Sequence, residues 1–275
     1  MRAEELLRQG HPAEALEKLQ EEVRNAPSDA KLRVFLFQLY CVLGQWDRAM
    51  TQLNVAADLD AQYLLMANIC RPALNCEALR AEIWAGKRSP VVLGEPNEWM
   101  GWILQANQMA LEGHYDASQE LRDRAFERAP AIPGTVNEQA FEWIADADPR
   151  LGPILEVIVN GAYYWAPFVN VREIRIEAPA DLRDVVWTPA EFTWTNGGTA
   201  AGLIPTRYPG SEKSDQSAIL LSRRTEWIER EGGLAEGLGQ RLLITDEAEY
   251  ALLDVRQIKL DLGEGEERAR EARDG

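Results

Sequence analysis

Gly10 and Gly44 stand one period apart, and the residues after them match place by place: Ala15 with Ala49, Leu19 with Leu53, Pro27 with Ala61. A period of about 34 residues with a glycine, a small residue five positions later and a breaker at the end describes a two-helix unit. Nothing else in the chain constrains its fold so strongly, because such a unit cannot bury its apolar face alone and must stack on its neighbours. A third copy begins at Gly113, slightly out of step, with Tyr115 in the aromatic place of Trp46 and then Ser118, Ala125 and Pro130.

These are the marks of tetratricopeptide hairpins, which usually present a concave surface to a peptide or helix. Ala3 to Asn25 forms the first hairpin, with Pro12 at a first helical turn, where its missing N–H costs nothing. Lys31 to Leu43 and Trp46 to Leu59 form the second, and Trp99 to Glu112 with Asp116 to Ala129 the last. Between them, Leu64 to Ala85 reads as a longer helix that Pro72 should kink or split. Residues 1–133 are thus expected to be an all-helical, tetratricopeptide-like domain.

Beyond Gly134 the pattern changes to short β-branched and aromatic runs divided by Gly and Pro. Asp148, Pro149 and the apolar stretch Leu151 to Val159 suggest an N-capped helix. Strands are expected over Ala162–Phe168, Glu173–Glu177, Val185–Trp194, Ala200–Tyr208, Thr225–Glu229, Gln240–Thr245 and Tyr250–Leu260. With turns such as Asn196-Gly197-Gly198, they predict a small twisted antiparallel sheet or partial barrel, with one or two helices, over residues 134–260. The whole is α+β, and residues 261–275 form a charged tail expected to fray.

A formal net charge of -16 argues against an electrostatic grip on nucleic acid or an anionic membrane, since both require a basic face. Cys41, Cys70 and Cys76 are odd in number and sit in apolar helical patterns, so they read as buried small hydrophobes. No apolar run approaches the roughly 18 residues of a membrane span, and the start lacks a signal-peptide core. A cytoplasmic protein is expected.

No constellation calls for a metal or cofactor. His11 and His114 fall at equivalent hairpin turns, and no Cys or His cluster has zinc spacing. Gly197-Gly198, Gly232-Gly233 and Gly237-Leu238-Gly239 lack the strand-to-helix context of a phosphate loop and read as hairpin turns. Ser211 lacks a nucleophile elbow, and the second half contains no histidine. Glu142, Asp146 and Arg150, or the Arg207 region, are the residues that a hydrolase would have to use. Asp148 before Pro149 is better read as a cap, and Asp146 as a partner of backbone or arginine.

In this repeat type the first helix of each hairpin faces the groove. Counting from the turn glycines places Val34, Gln38 and Cys41 of the second hairpin and Met100, Ile103 and Asn107 of the third on that inner face, as the candidate partner-binding residues. The alternative occupant of the groove is the long middle helix.

Four stretches carry a family resemblance: LRVFLFQLYCVLGQWDRAMTQLNVAADLD, CEALRAEIWAGKRSPVVLGEP, FEWIADADPRLGPILEVIVNGAYYWAPF and FTWTNGGTAAGLIPTRYPGS. In order, over residues 1–260, the chain resembles the ImpE/SciE (TagJ) family, accessory proteins encoded with bacterial type VI secretion systems. The resemblance implies a non-enzymatic cytosolic protein that binds an N-terminal helix of the small subunit of the contractile sheath. It also implies a part in the assembly and disassembly cycle driven by a dedicated AAA+ ATPase, with any contact to that ATPase indirect. A self-associating scaffold or an adaptor for another protein is the alternative from residues alone.

Overall fold

The computed structural model describes residues 2–95 and 97–263; of the tail expected to fray, 261–275, residues 264–275 lie outside them. Seven helices come first: α1 (Ala3–Arg8), α2 (Pro12–Asn25), α3 (Ala30–Val42), α4 (Trp46–Leu59), α5 (Leu64–Trp84), α6 (Glu98–Leu111) and α7 (Tyr115–Arg128). The hairpin turns are built alike. Gly10, Gly44 and Gly113 take φ of +86°, +64° and +83°. In each case the next N–H reaches back five residues, from His11 to Leu6, Gln45 to Tyr40 and His114 to Met109, each at 2.9 Å. This closes a Schellman motif, which satisfies helix-end carbonyls and needs a left-handed residue that glycine adopts without a Cβ clash. The two histidines are therefore turn residues. Asp29 caps α3 by accepting from Lys31 N and Leu32 N.

Helix α5 runs unbroken through Pro72 over 21 residues, where a kink or split was expected. Its stability comes from packing: Ala67, Cys70, Ala73, Leu74 and Ile83 are buried along it, and that burial offsets the lost backbone bond.

The strands are β1 (Gly134–Val136), β2 (Gln139–Phe141), β3 (Ile144–Asp146), β4 (Ile154–Val159), β5 (Ala162–Pro167), β6 (Val171–Ile176), β7 (Trp187–Trp194), β8 (Thr199–Pro205), β9 (Thr225–Glu229), β10 (Ala235–Gly239), β11 (Leu242–Thr245), β12 (Glu249–Ala251) and β13 (Gln257–Leu260), with a one-turn helix α8 (Ser217–Leu220). Eight form an antiparallel sheet in the order β2-β1-β13-β6-β7-β8-β4-β5, beside a β9–β10 hairpin and a β12-β11-β3 sheet.

The expected helix over Leu151–Val159 is corrected by this topology. Asp148 to Leu151 makes a single turn, and Ile154–Val159 is strand β4, buried at every position. A continuous apolar run fits a two-sided buried strand as well as a helix. The deciding signal is Asn160-Gly161, whose φ values of +51° and +76° make the tight hairpin turn to β5. The same chemistry at Asn137-Glu138 joins β1 to β2. Gly237 and Gly239 lie in β10 rather than in a turn. A Cβ on Gly237 would stand 2.4 Å from the Tyr208 ring, so the strand needs glycine there.

Both faces of the large sheet are covered. On one side Ile154, Ile158, Tyr163, Trp165, Trp187 and Leu203 join a core continuous with the helices. On the other, Leu155, Val157, Val159, Ile174, Phe192 and Ile204 pack with Leu243, Leu252, Val255 and Ile258. The even-numbered residues of β4 thus face the helices, which turns Glu156 toward them.

Candidate functional site: the helix–sheet seam and two surface clefts

Glu156, fully buried on β4, is the centre of the seam. Arg80 of α5 donates to it twice, from Nε to Oε1 at 2.7 Å and from Nη2 to Oε2 at 2.9 Å. Trp84 Nε1 donates at 2.9 Å, and Arg241 and the Tyr163 hydroxyl also donate to the same carboxylate. Burial alone would raise its pKa, but the guanidinium groups of Arg80 and Arg241 outweigh that and hold the carboxyl well below the usual range. Arg241 also pairs with Asp146, whose Oδ1 accepts from Tyr208 OH at 3.0 Å and Asp148 N at 2.9 Å. Burial pushes Asp146 up to about 6 against the pull of Arg241. Glu77 of α5 accepts from Trp187 Nε1 at 2.7 Å.

Two more arginines of the sheet half close helix ends. Arg207 Nη1 donates to the carbonyls of Val42 and Leu220 at 2.8 and 2.7 Å, and Nη2 to Cys41 O at 3.3 Å. Arg223 does the same, more exposed, for Leu7 and Arg8 at the end of α1. Cations suit helix C-termini, where unpaired carbonyls concentrate negative potential. Burial pushes Arg207 down to about 10, so it remains charged at neutral pH.

The residues that a hydrolase would use are tied into this framework. Asp148 is fully buried, and its oxygens accept from Arg150 N, Arg150 Nε and Gly237 N. Glu142 is exposed, and its backbone N–H bonds Asp246. It is not gathered with Asp146, while Ser211 is buried and donates to Tyr208 O. Burial pushes the thiols of Cys70 and Cys76 up to about 11 and raises that of Cys41 well above its ordinary value, so all three stay protonated.

Of the six residues assigned to a groove by register, Gln38, Cys41, Met100 and Ile103 are buried. Gln38 Oε1 accepts from Leu182 N at 3.1 Å, Cys41 O accepts from Arg207, and Asn107 Nδ2 donates to Arg150 O at 2.8 Å. Val34 and Asn107 are half-buried. The sheet half of the same chain therefore occupies the face that these residues line, and a partner does not reach Met100 or Ile103 in this conformation. Residues 43, 144 and 166 positions downstream supply these contacts, and no local pattern announces them.

Two clefts bear on what the chain could bind. One, of about 580 Å³, lies between α5 and the β7–β8 hairpin, lined by Met66, Ile69, Cys70, Trp187, Pro189 and Leu203 with Arg175, Arg183, Glu177 and Glu191 at its edges. Leu65 and Ile69, one helical turn apart beside it, are 73% and 50% exposed, and Leu64 46%. Adjacent exposed apolar side chains of this kind mark contact surfaces. The spacing was readable as an apolar stripe, but it gave no sign that this face of α5 would be left uncovered. The other cleft, of about 630 Å³, lies where α5, α6 and α7 meet Arg150, Trp165, Arg230 and Glu236. Among the described residues no group of His, Cys, Asp and Glu could hold a metal, and no helix is long and apolar enough to cross a membrane.

Comparison with known proteins agrees with this architecture. Residues 138–259 match the family model described as ImpE protein, and residues 6–69 a tetratricopeptide repeat model. The crystal structure of protein VPA1032 from Vibrio parahaemolyticus superposes with a TM-score of 0.85 at 26% identity, covering 96% of this chain and 98% of that one. A curated relative in Pseudomonas aeruginosa, the type VI secretion system accessory component TagJ, is 51% identical over 261 residues, 95% of this chain and 92% of the relative. With that identity over nearly its whole length, and with hairpins and sheet both in place, the chain belongs to the ImpE/TagJ family.

Proposed function

We propose that this protein is a cytoplasmic, non-enzymatic accessory component of a type VI secretion system that captures an N-terminal helix of the small sheath subunit and so modulates sheath turnover by the AAA+ ATPase. The observation that carries the reading is the apolar cleft between α5 and the β7–β8 hairpin, with Ile69 in its lining and Leu65, one helical turn before it, exposed. An amphipathic helix recognises such a cleft through apolar side chains spaced three and four apart, and a few of them supply most of the affinity. The relative's name supports a part in type VI secretion, and the sheath-subunit helix is the partner that the family resemblance implies. The binding face is thereby moved from the inner face of the hairpins, where Val34, Gln38, Cys41, Met100, Ile103 and Asn107 were expected to act, to the outer face of α5.

The test is a pulldown of the full chain against the small sheath subunit, with and without that subunit's N-terminal segment, in parallel with Leu65→Glu and Ile69→Glu. Capture that needs the segment and is lost in both variants is expected. Capture unchanged in both moves the partner to another face, and failure to retain the intact subunit removes the sheath reading. An exposed apolar face also serves self-association. Light scattering on the same samples separates the two, since a dimer dispersed by Ile69→Glu would favour the scaffold.

A further inference from the structure

The second cleft differs from the first in chemistry. Its floor is an aromatic pair, Trp84 and Trp165, with ring centroids 5.5 Å apart. Both indoles are fixed from below: Trp84 Nε1 donates to Glu156, and Trp165 Nε1 donates to Tyr163 OH at 2.8 Å. The Arg150 guanidinium lies 4.8 Å over the Trp84 ring and is itself held by Asp148. Leu104 and the exposed Leu111 form an apolar wall opposite. An apolar floor held rigid before anything binds loses little entropy on binding.

The charge around this floor has the opposite sign to the rest of the chain. Glu236 is the one carboxylate among the described lining residues, against Lys87, Arg88, Arg150 and Arg230. Internal pairs account for part of this: Arg88 with Glu82, Arg150 with Asp148, and Arg230 with Glu236. Lys87 is left over, with no ion pair among the described residues. So is Arg122, fully buried, which pairs with no carboxylate there and whose Nε lacks a partner. Its Nη2 donates to Oδ1 of Asn107, which lines the cleft. Arg122 lies in the field of Asp148 and Arg150 and touches the cleft only through Asn107. In a chain of net charge -16, a cleft lined by four cations and one carboxylate is a place that draws an acidic group.

We propose that the cleft between the end of α5, the α6–α7 hairpin and the β9–β10 hairpin binds an acidic peptide segment that seats an apolar side chain on the Trp84–Trp165 floor. This site lies at the C-terminal end of α5, whereas the apolar groove is lined by Met66, Ile69 and Cys70 near the start of that helix, and it does not depend on the sheath reading. Selection is by charge at the rim and by one anchor in the cavity, the usual division of labour in such pockets.

Fluorescence anisotropy on the full chain tests it with three labelled probes: glutamates flanking a central leucine pair, the same peptide with lysines for glutamates, and glutamates alone. The first is expected to bind, more weakly as NaCl rises, and the other two to bind far less. Lys87→Glu with Arg88→Glu should weaken the first probe by roughly tenfold, the scale of reversing two exposed charges. Ile69→Glu should leave it unchanged. Both lysine-loop positions are exposed, and circular dichroism of the variant, with Lys87→Gln and Arg88→Gln as a milder pair, separates loss of binding from loss of fold. Equal binding of the lysine probe, indifference to the double reversal in a folded protein, or no binding of the first probe would overturn the proposal.

Discussion

Replacing Glu156 by Gln keeps the size and shape of the side chain and removes the charge at the centre of the helix–sheet seam. The carboxylate accepts five hydrogen bonds, from Arg80 twice and from Arg241, Trp84 and Tyr163 once each. An amide has one oxygen to offer, and its NH2 group faces arginines that also donate. Breaking a buried ion pair from one side costs about 3–5 kcal/mol because the other charge is left without compensation. Here the loss belongs at the lower end, about 3 kcal/mol, since Arg241 keeps Asp146 and Arg80 keeps the Arg207 carbonyl at 2.8 Å. At roughly 2–4 °C per kcal/mol for a chain of this size, the midpoint of thermal unfolding should fall by roughly 6–12 °C. The network ties α5 to β4 and to the β10–β11 connection, so helix loss by far-UV circular dichroism and core loss by tryptophan fluorescence should stay coincident. A stability change below about 1 kcal/mol would refute the reasoning, because a carboxylate so cheaply neutralised does not supply the main compensation of Arg80 and Arg241. Separate transitions for the two probes would show that the seam does not couple the halves.

Acid should act in two opposite stages. The Asp146 carboxyl, raised by burial to about 6, takes up its proton in the folded state first, so its contribution to stability holds or grows as pH falls from 7 toward 5. Glu156, held below its ordinary value, contributes stability that is fully present above about 4.5 and is lost below it; urea midpoints that fall steadily from pH 7 to 5 would contradict this order. Arg207→Met should cost about 3 kcal/mol or more by leaving the buried carbonyls of Cys41, Val42 and Leu220 without donors, whereas Arg223→Ala, on exposed carbonyls, should cost about 1 kcal/mol or less in the same denaturation assay. Gly161→Ala should lose about 1–2 kcal/mol, since its φ of +76° disfavours a side chain and its Cβ would stand 3.2 Å from Pro72; an unchanged melting temperature would remove the left-handed turn from the account.

The α+β class and the tetratricopeptide hairpins were legible from residues alone because their determinants are local. A glycine at Gly10, Gly44 and Gly113 closes a turn with atoms no more than five residues away, and apolar spacing names the face each helix buries. The strands of residues 162–208 were legible for the same reason, with β-branched and aromatic runs cut by turn residues. The strand β4 is not legible from periodicity because a run buried on both faces carries no period, and the signal that identifies it is the Asn160-Gly161 turn. Strands β1 to β3 and β10 are short or glycine-bearing, and two of them have partners far along the chain: β1 beside β13 and β3 beside β11.

The site was less legible, for a physical reason. Register placed Gln38 and Cys41 on the inner face of a hairpin, but what covers that face comes from Leu182 and Arg207, 144 and 166 residues away. Likewise Arg80, Glu156 and Arg241 are ordinary charged residues in sequence, and become one network only because α5 packs across β4. Sequence by itself determined the helical repeat, the change to β texture after Gly134 and the acidic balance, all of which follow from neighbouring residues or from composition. Only the tertiary structure decided which apolar stripe is closed by the chain itself and which, at Leu65 and Ile69, stays exposed, because burial depends on every segment that competes for the same face.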